Sequence, residues 1–397
     1  MNMFQNQDSK ADQATWYSKE SANLDEFTQL LKETTTAADV PYAIRIEKNI
    51  PIYKADSVRD ICLTAEGRRS ILSEFGKIFL SGAGAIVITG AYQDTSVIDT
   101  ASKHFENIIA KERETGSGGD HFAKPGANDR IWNSFQKLCE EDPTCFAHYF
   151  CNDMIALASE AWLGPNYRMT SQVNQVRPGG EAQQAHRDYH LGFMPGDSAA
   201  KYPPHIHDLS AALTLQGGIA HCDMSLESGP TKLLPFSQKY RAGYVAYTRP
   251  DFQQEFEKRH VQLPMDKGDL LFFNPALFHA AGANKTKDFE RLVNLLQVSS
   301  TFGVPIETID HMKICKAVYP ALKKAKSDET LTQNELENIV TCAADTYAFP
   351  TSLDNDPPIG GLAPRTQKDI TLEALEAGWS IEEYTSALNA QNSRRNT

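Results

Sequence analysis

Apolar residues recur at three- and four-residue spacing over 24–36 and again over 65–80, the period of an amphipathic helix. The first third of the chain is therefore expected to be mainly helical. A further helix is predicted over 143–163, where Asp142 supplies an N-cap, Pro143 suits the first turn, and Gly164-Pro165 closes the run. From about 166 to 303 the pattern changes to short runs of Val, Leu and Phe separated by Gly and Pro, which predicts strands. Leu270-Leu271-Phe272-Phe273 and Leu292-Val293-Asn294-Leu295-Leu296-Gln297-Val298 read as buried strands. From Ile306 onward helical periodicity returns, interrupted at Asn355-Asp356-Pro357-Pro358-Ile359-Gly360-Gly361, and a last helix starts at the capping box Ser380-Ile381-Glu382-Glu383. The expected organisation is a flexible N-terminus over 1–22, a mainly helical part over 23–165, a strand-rich core over 166–303 and a helical appendage over 304–397. There is no internal repeat.

Candidate chemistry falls inside the strand-rich part. His186 and Asp188 are two residues apart, so on an extended segment both side chains share one face. Two imidazoles and one carboxylate can occupy one face of an octahedral ferrous ion and leave the other positions open. His279, after the apolar run at 270–273, is the candidate third ligand. Arg291 opens the next strand, where its guanidinium can pair with a carboxylate. A second His-x-Asp, His221-Cys222-Asp223, competes with the first. The first is preferred because the Gly179-Gly180 turn leads into it and the aromatic stretch Tyr189-His190-Leu191-Gly192-Phe193 follows it, whereas Asp223 opens a turn-rich loop. His190, His205, His207 and His221 are expected to be ordinary structural histidines, and Trp132 and Tyr189 core aromatics.

The segment from Arg177-Pro178-Gly179-Gly180 through His186-Arg187-Asp188-Tyr189-His190 resembles the metal-binding strand of the phytanoyl-CoA dioxygenase family of iron(II)- and 2-oxoglutarate-dependent oxygenases. Two more segments carry the resemblance: Asp223 to Ser228-Gly229-Pro230 with Pro235-Phe236-Ser237, and Lys267-Gly268-Asp269 running to His279 and Arg291. It covers roughly residues 165–300. It implies an α+β protein whose core is a double-stranded β-helix, a jelly-roll barrel flanked by N-terminal and C-terminal helices. It implies Fe(II) held by His186, Asp188 and His279, 2-oxoglutarate anchored through its C5 carboxylate by Arg291, and dioxygen as oxidant, with succinate and carbon dioxide released as a substrate C–H bond is oxidised. Two departures stand out: Gln238 replaces the histidine of a Pro-Gly-Ser-His turn, and Ala281 lacks the hydroxyl often found two places after the distal histidine. A remaining 2-oxoglutarate contact is therefore expected from Gln172, Asn174 or Gln175, which lie along one probable strand. Asp188 disfavours halogenation, which needs a small residue there.

Composition narrows the setting. The 397 residues include 41% hydrophobic ones and carry a net charge of −12, which argues against nucleic acid as a partner. The first twenty residues lack an apolar core and no later run is long enough to span a bilayer, so a cytoplasmic protein with no membrane partner is expected. The seven cysteines are scattered, with no Cys-x-x-Cys pair. The Gly-rich stretch 115–126 lacks the Gly-Lys-Ser/Thr ending of a phosphate loop and is expected to be a surface connection, with a substrate lid as the sharper reading. The expected partner is a small-molecule substrate; a homo-oligomer is compatible with the sequence but not indicated. Two other readings stay open: a metal-dependent barrel enzyme that does not use 2-oxoglutarate, such as an isomerase or hydrolase, and a catalytically silent binding protein.

Overall fold

The structure, a computed structural model, describes residues 16–115 and 128–395. The glycine-rich stretch thus lies, but for Thr115, outside the described residues, as does most of the N-terminal segment expected to be flexible. The part of that segment that is described is tied down: Arg249 donates to the Lys19 and Ala22 carbonyls, and Tyr17 packs edge-on against His207.

The described residues form ten strands: β1 (Arg45–Glu47), β2 (Ile50–Lys54), β3 (Ala85–Thr89), β4 (Asn128–Ile131), β5 (Tyr167–Val176), β6 (Thr214–Ala220), β7 (Lys232–Leu233), β8 (Leu270–Phe273), β9 (His279–Ala280) and β10 (Arg291–Ser300). Eight form one large sheet in the order β1-β2-β3-β8-β6-β10-β5-β4. It is antiparallel throughout except for the parallel pair β2 and β3. Facing it is a small sheet of β7 and β9, extended by single bridges from His186 to His279 and from Leu233 to Val261. This large and small pair of sheets is the double-stranded β-helix, and helices cover the outer face of the large one.

Alternation along the strands divides the interior in two. Leu270 and Phe272 of β8 point outward with Leu296 and Val298 of β10 into a core shared with the helices. Leu271 and Phe273 point inward with Val87, Met224 and Leu277. Both predicted buried strands form, and each carries apolar side chains on both faces for this reason. A third cluster, around Phe27, Phe252 and Phe278, backs the small sheet.

Three expectations need correction. Helices make up most of the first third, but β1 to β4 all lie before residue 166 and supply half of the large sheet, so the sheet does not begin at 166. These strands run to at most five residues, too few for periodicity to register. The helix expected over 143–163 is two, Pro143–Phe150 and Asp153–Leu163. Asp142 caps the first as predicted, while Asn152 accepts from the amides of Met154 and Ile155 and starts the second. Finally, the C-terminal helices are not a docked appendage. Ile314, Val318, Tyr319, Ile339, Tyr384 and Leu388 belong to the same core as Met169, Val173 and Leu296 of the sheet.

Candidate active site

Among the described residues, one cluster of three potential ligands could hold a metal ion: His186, Asp188 and His279, whose ligand atoms lie within 4.8 Å of one another. His279 is on β9. The segment bearing His186 and Asp188 is not the strand expected; it is extended chain held by a single bridge, His186 N–H to the His279 carbonyl at 3.0 Å and the reverse bond at 3.2 Å. Asp188 N–H donates to Pro275. The extended backbone still puts His186 and Asp188 on one side and Arg187 on the other. The Gly179-Gly180 turn before it forms, with Gly179 in the left-handed region at φ 81°, where glycine is favoured.

The imidazoles are oriented alike. His186 Nδ1 lies 2.9 Å from the Gln184 carbonyl and His279 Nδ1 2.8 Å from that of Leu277. A carbonyl only accepts, so each Nδ1 carries the proton and each Nε2 presents its lone pair. His279 Nε2 is 3.4 Å from Asp188 Oδ2, and His186 Nε2 is 3.8 Å from Oδ1. Burial, with the neighbouring His279 ring, pushes the His186 pKa down. Burial pushes the Asp188 carboxyl up, but the two imidazoles and the Gln216 amide outweigh it and hold the group well below the usual carboxylate range. A neutral imidazole beside an ionised carboxylate is the donor set a divalent cation needs.

Around the triad is a cavity of about 1050 Å³. Gln172, Asn174, Gln216, Val293, Leu295 and Gln297 line it from the large sheet. Arg291 lines it too, 5% exposed. Among the described residues its Nη1 makes only long bonds, 3.3 Å to the Ser228 carbonyl and 3.4 Å to that of Gly282, and its buried Nε has no partner. Burial lowers its pKa to about 10. The loop before β7 comes close enough for this because Gly229, at φ 76°, packs where a Cβ would stand 2.3 Å from the Ala283 carbonyl oxygen.

Of the three polar residues expected to supply another 2-oxoglutarate contact, Gln172 and Asn174 face the cavity. Gln175 does not: strand alternation turns it outward, where it donates to Glu290 at 2.7 Å. Ala281 lines the cavity, and so does the hydroxyl residue Thr231. The competing pair His221 and Asp223 is spent elsewhere. His221 lies between Ser102 and Tyr149, and Asp223 accepts from the Lys267 amide. Trp132, expected in the core, is at the cavity wall. Sequence reasoning missed Gln216, which donates to Asp188 Oδ2 at 2.5 Å. The signal was a polar residue at an inward position of an otherwise apolar strand.

The sequence model described as phytanoyl-CoA dioxygenase matches residues 80–292, more than half of the chain. The chain belongs to the phytanoyl-CoA dioxygenase family. Two curated relatives are dioxygenases. Dioxygenase aneA of Aspergillus aculeatus is 23% identical over 253 residues, 61% of this chain and 78% of its own. Dioxygenase trt7 of Aspergillus terreus is 27% identical over 139 residues, 35% of this chain and 43% of its own. Among solved structures, the epimerase SnoN in complex with Fe3+, alpha ketoglutarate and nogalamycin RO matches with a TM-score of 0.40 and 16% identity, covering 59% of this chain and 85% of SnoN. Family and triad together make the chain an enzyme of the iron- and 2-oxoglutarate-dependent dioxygenase type. Among the described residues no helix is long and apolar enough to cross a membrane.

Proposed function

We propose that this enzyme oxidises a C–H bond of a small organic substrate, by hydroxylation, desaturation or oxidative cyclisation, at Fe(II) held by His186, Asp188 and His279, with release of succinate and carbon dioxide. Arg291 carries the reading. A buried guanidinium that opens into the triad's cavity, with no carboxylate partner among the described residues, is costly to maintain and matches the distal carboxylate of a dicarboxylate co-substrate in a bidentate fork.

Bound there, iron and 2-oxoglutarate would turn dioxygen into an oxidant that no side chain can supply. The chain's own part is placement and shielding. His186 and His279 present lone pairs fixed by backbone carbonyls. Asp188 stays ionised, and Gln216 holds one of its oxygens. Leu271, Phe273, Val293 and Leu295 give the cavity an apolar wall that excludes water around a reactive centre.

The reading is tested by succinate release with Fe(II) and 2-oxoglutarate in air, with or without an added substrate. Asp188→Ala or His186→Ala should abolish release and Fe(II) binding together; full activity in either would mean the wrong ligands were chosen. Arg291→Ala should leave Fe(II) binding intact and raise the 2-oxoglutarate requirement about ten- to a hundredfold, the worth of a charged hydrogen-bond pair of roughly 1.5–3 kcal/mol. An unchanged requirement would remove Arg291 from its role.

A further inference from the structure

Gln216 on β6 and Gln297 on β10 stand directly opposite one another in the ladder, a placement that brings side chains on one face within about 4.5–5.5 Å at Cβ. Both are almost fully buried, at 3% and 7% exposure, and both line the cavity. The Gln216 amide nitrogen donates to Asp188 Oδ2 at 2.5 Å and to Gln297 Oε1 at 3.2 Å. This fixes which way round the amide sits, because turning it over would set a carbonyl oxygen against a carboxylate. Both its protons are then used, and its own Oε1 is left buried with no partner among the described residues. The Gln297 oxygen is taken by Gln216, and its amide nitrogen donates to no acceptor among the described residues. An orphaned buried acceptor costs about 1–3 kcal/mol, and here it is next to the metal carboxylate in a cavity that must admit a substrate.

We infer that Gln216 and Gln297 are the specificity pair of this site: Gln216 Oε1 accepts from, and Gln297 Nε2 donates to, a neutral group such as a secondary amide or a hydroxyl on a bulky, otherwise apolar substrate. The inference rests on the proposed function. Neutrality follows from the surroundings: an anion would meet Asp188 and a carbonyl oxygen, and a cation would compete with the metal ion. The apolar bulk follows from the wall, where Phe193, Met194, Leu271, Phe273 and Leu295 surround a space larger than a five-carbon diacid fills. Because the same Gln216 amide holds Asp188, the residue that reads the substrate also positions a metal ligand.

Calorimetric titration of the anaerobic enzyme loaded with Fe(II) and 2-oxoglutarate tests this with isosteric probes that need no turnover. N-(1-adamantyl)acetamide should bind about five- to tenfold more tightly than 1-adamantyl acetate, which keeps the carbonyl but lacks the N–H, and 1-adamantanol should exceed 1-methyladamantane by a similar factor. Gln216→Leu should erase the difference between amide and ester. Gln297→Leu, which leaves the Asp188 contact intact, should weaken amide and ester alike while sparing 1-methyladamantane. Equal binding of amide and ester to the wild-type enzyme, preferences that survive in both variants, or failure of every probe to bind while 2-oxoglutarate still does would each overturn the pair. Failure of 2-oxoglutarate itself to bind would instead overturn the proposed function, so the two results are distinguishable.

Discussion

Arg187, between two proposed ligands, carries a buried charge that the fold has to shelter. It is 1% exposed, and its guanidinium lies 5.2 Å from the Tyr244 ring and 5.1 Å from that of Phe278. It donates to the Ser237 and Tyr240 carbonyls at 2.5 and 2.8 Å. Ring faces and carbonyl dipoles, with no carboxylate partner among the described residues, hold this charge; burial lowers its pKa to about 10. The clamp compensates for the missing ladder, because a segment with a single bridge needs another anchor to keep His186 and Asp188 in register. Gly243 makes room for it: a Cβ there would stand 1.9 Å from Arg187 Cζ. Gly243→Ala should therefore displace the guanidinium and lower Fe(II) affinity by about tenfold or more; an unchanged Fe(II) titration with an unchanged melting temperature would refute the clamp. The triad was legible in the sequence because ligand order and two-residue spacing survive without a ladder. Gly243 was not, since its need is set by a side chain 56 positions earlier in sequence.

At the scale of elements, the helix Pro143–Phe150 is locked to the sheet through a buried polar chain. Asn294 Nδ2 donates to the Tyr149 hydroxyl at 3.1 Å, Tyr149 meets His221 Nε2 at 2.6 Å, and His221 Nδ1 meets Ser102 at 2.8 Å. With Ser102 donating onward to Ile98, Nδ1 carries the single ring proton and Nε2 accepts. Burial pushes the His221 pKa from 6.5 down to about 3. The folded state thus binds fewer protons than the unfolded one between those values, so His221 makes stability rise with pH across that window and adds no pH dependence above it. The slope is about 1.4 kcal/mol per pH unit at most. His221→Gln should lower stability at neutral pH yet flatten the dependence between pH 4 and 6 in denaturant titrations; a slope equal to wild type would show that His221 is not buried neutral. The sequence already marked His221 as a decoy, but the break that frees Tyr149 to reach it was hidden, because apolar spacing runs on through Cys151 and Asn152.

For the whole molecule, the three clustered ligands lie in the strand-rich part, while the sheet and core around them also draw on strands and helices outside 166–303. Leu270–Phe273 and Arg291–Ser300 stand out as apolar runs, whereas β1 to β4 run to at most five residues and, apart from the neighbouring pair β1 and β2, are separated by helices, so their place in the large sheet is decided by pairing at a distance. The C-terminal helices are equally integral: Ile314, Val318 and Tyr319 are at most 1% exposed within the common core. Truncation before His311 should uncover that core and abolish a cooperative thermal transition, with succinate release lost alongside it; a truncated chain that melts cooperatively near the full-length temperature would restore the appendage view. The strand order has one more consequence. Early and late strands are interleaved, with β8 seated between β3 and β6 and β10 between β6 and β5. A ribosome must therefore complete β10, at residue 300, before the sheet can close, and β1 to β3 emerge with an unpaired edge that waits through nearly two hundred residues of synthesis. Growth at lower temperature or with added chaperones should accordingly raise the yield of folded enzyme more than any change at the metal site.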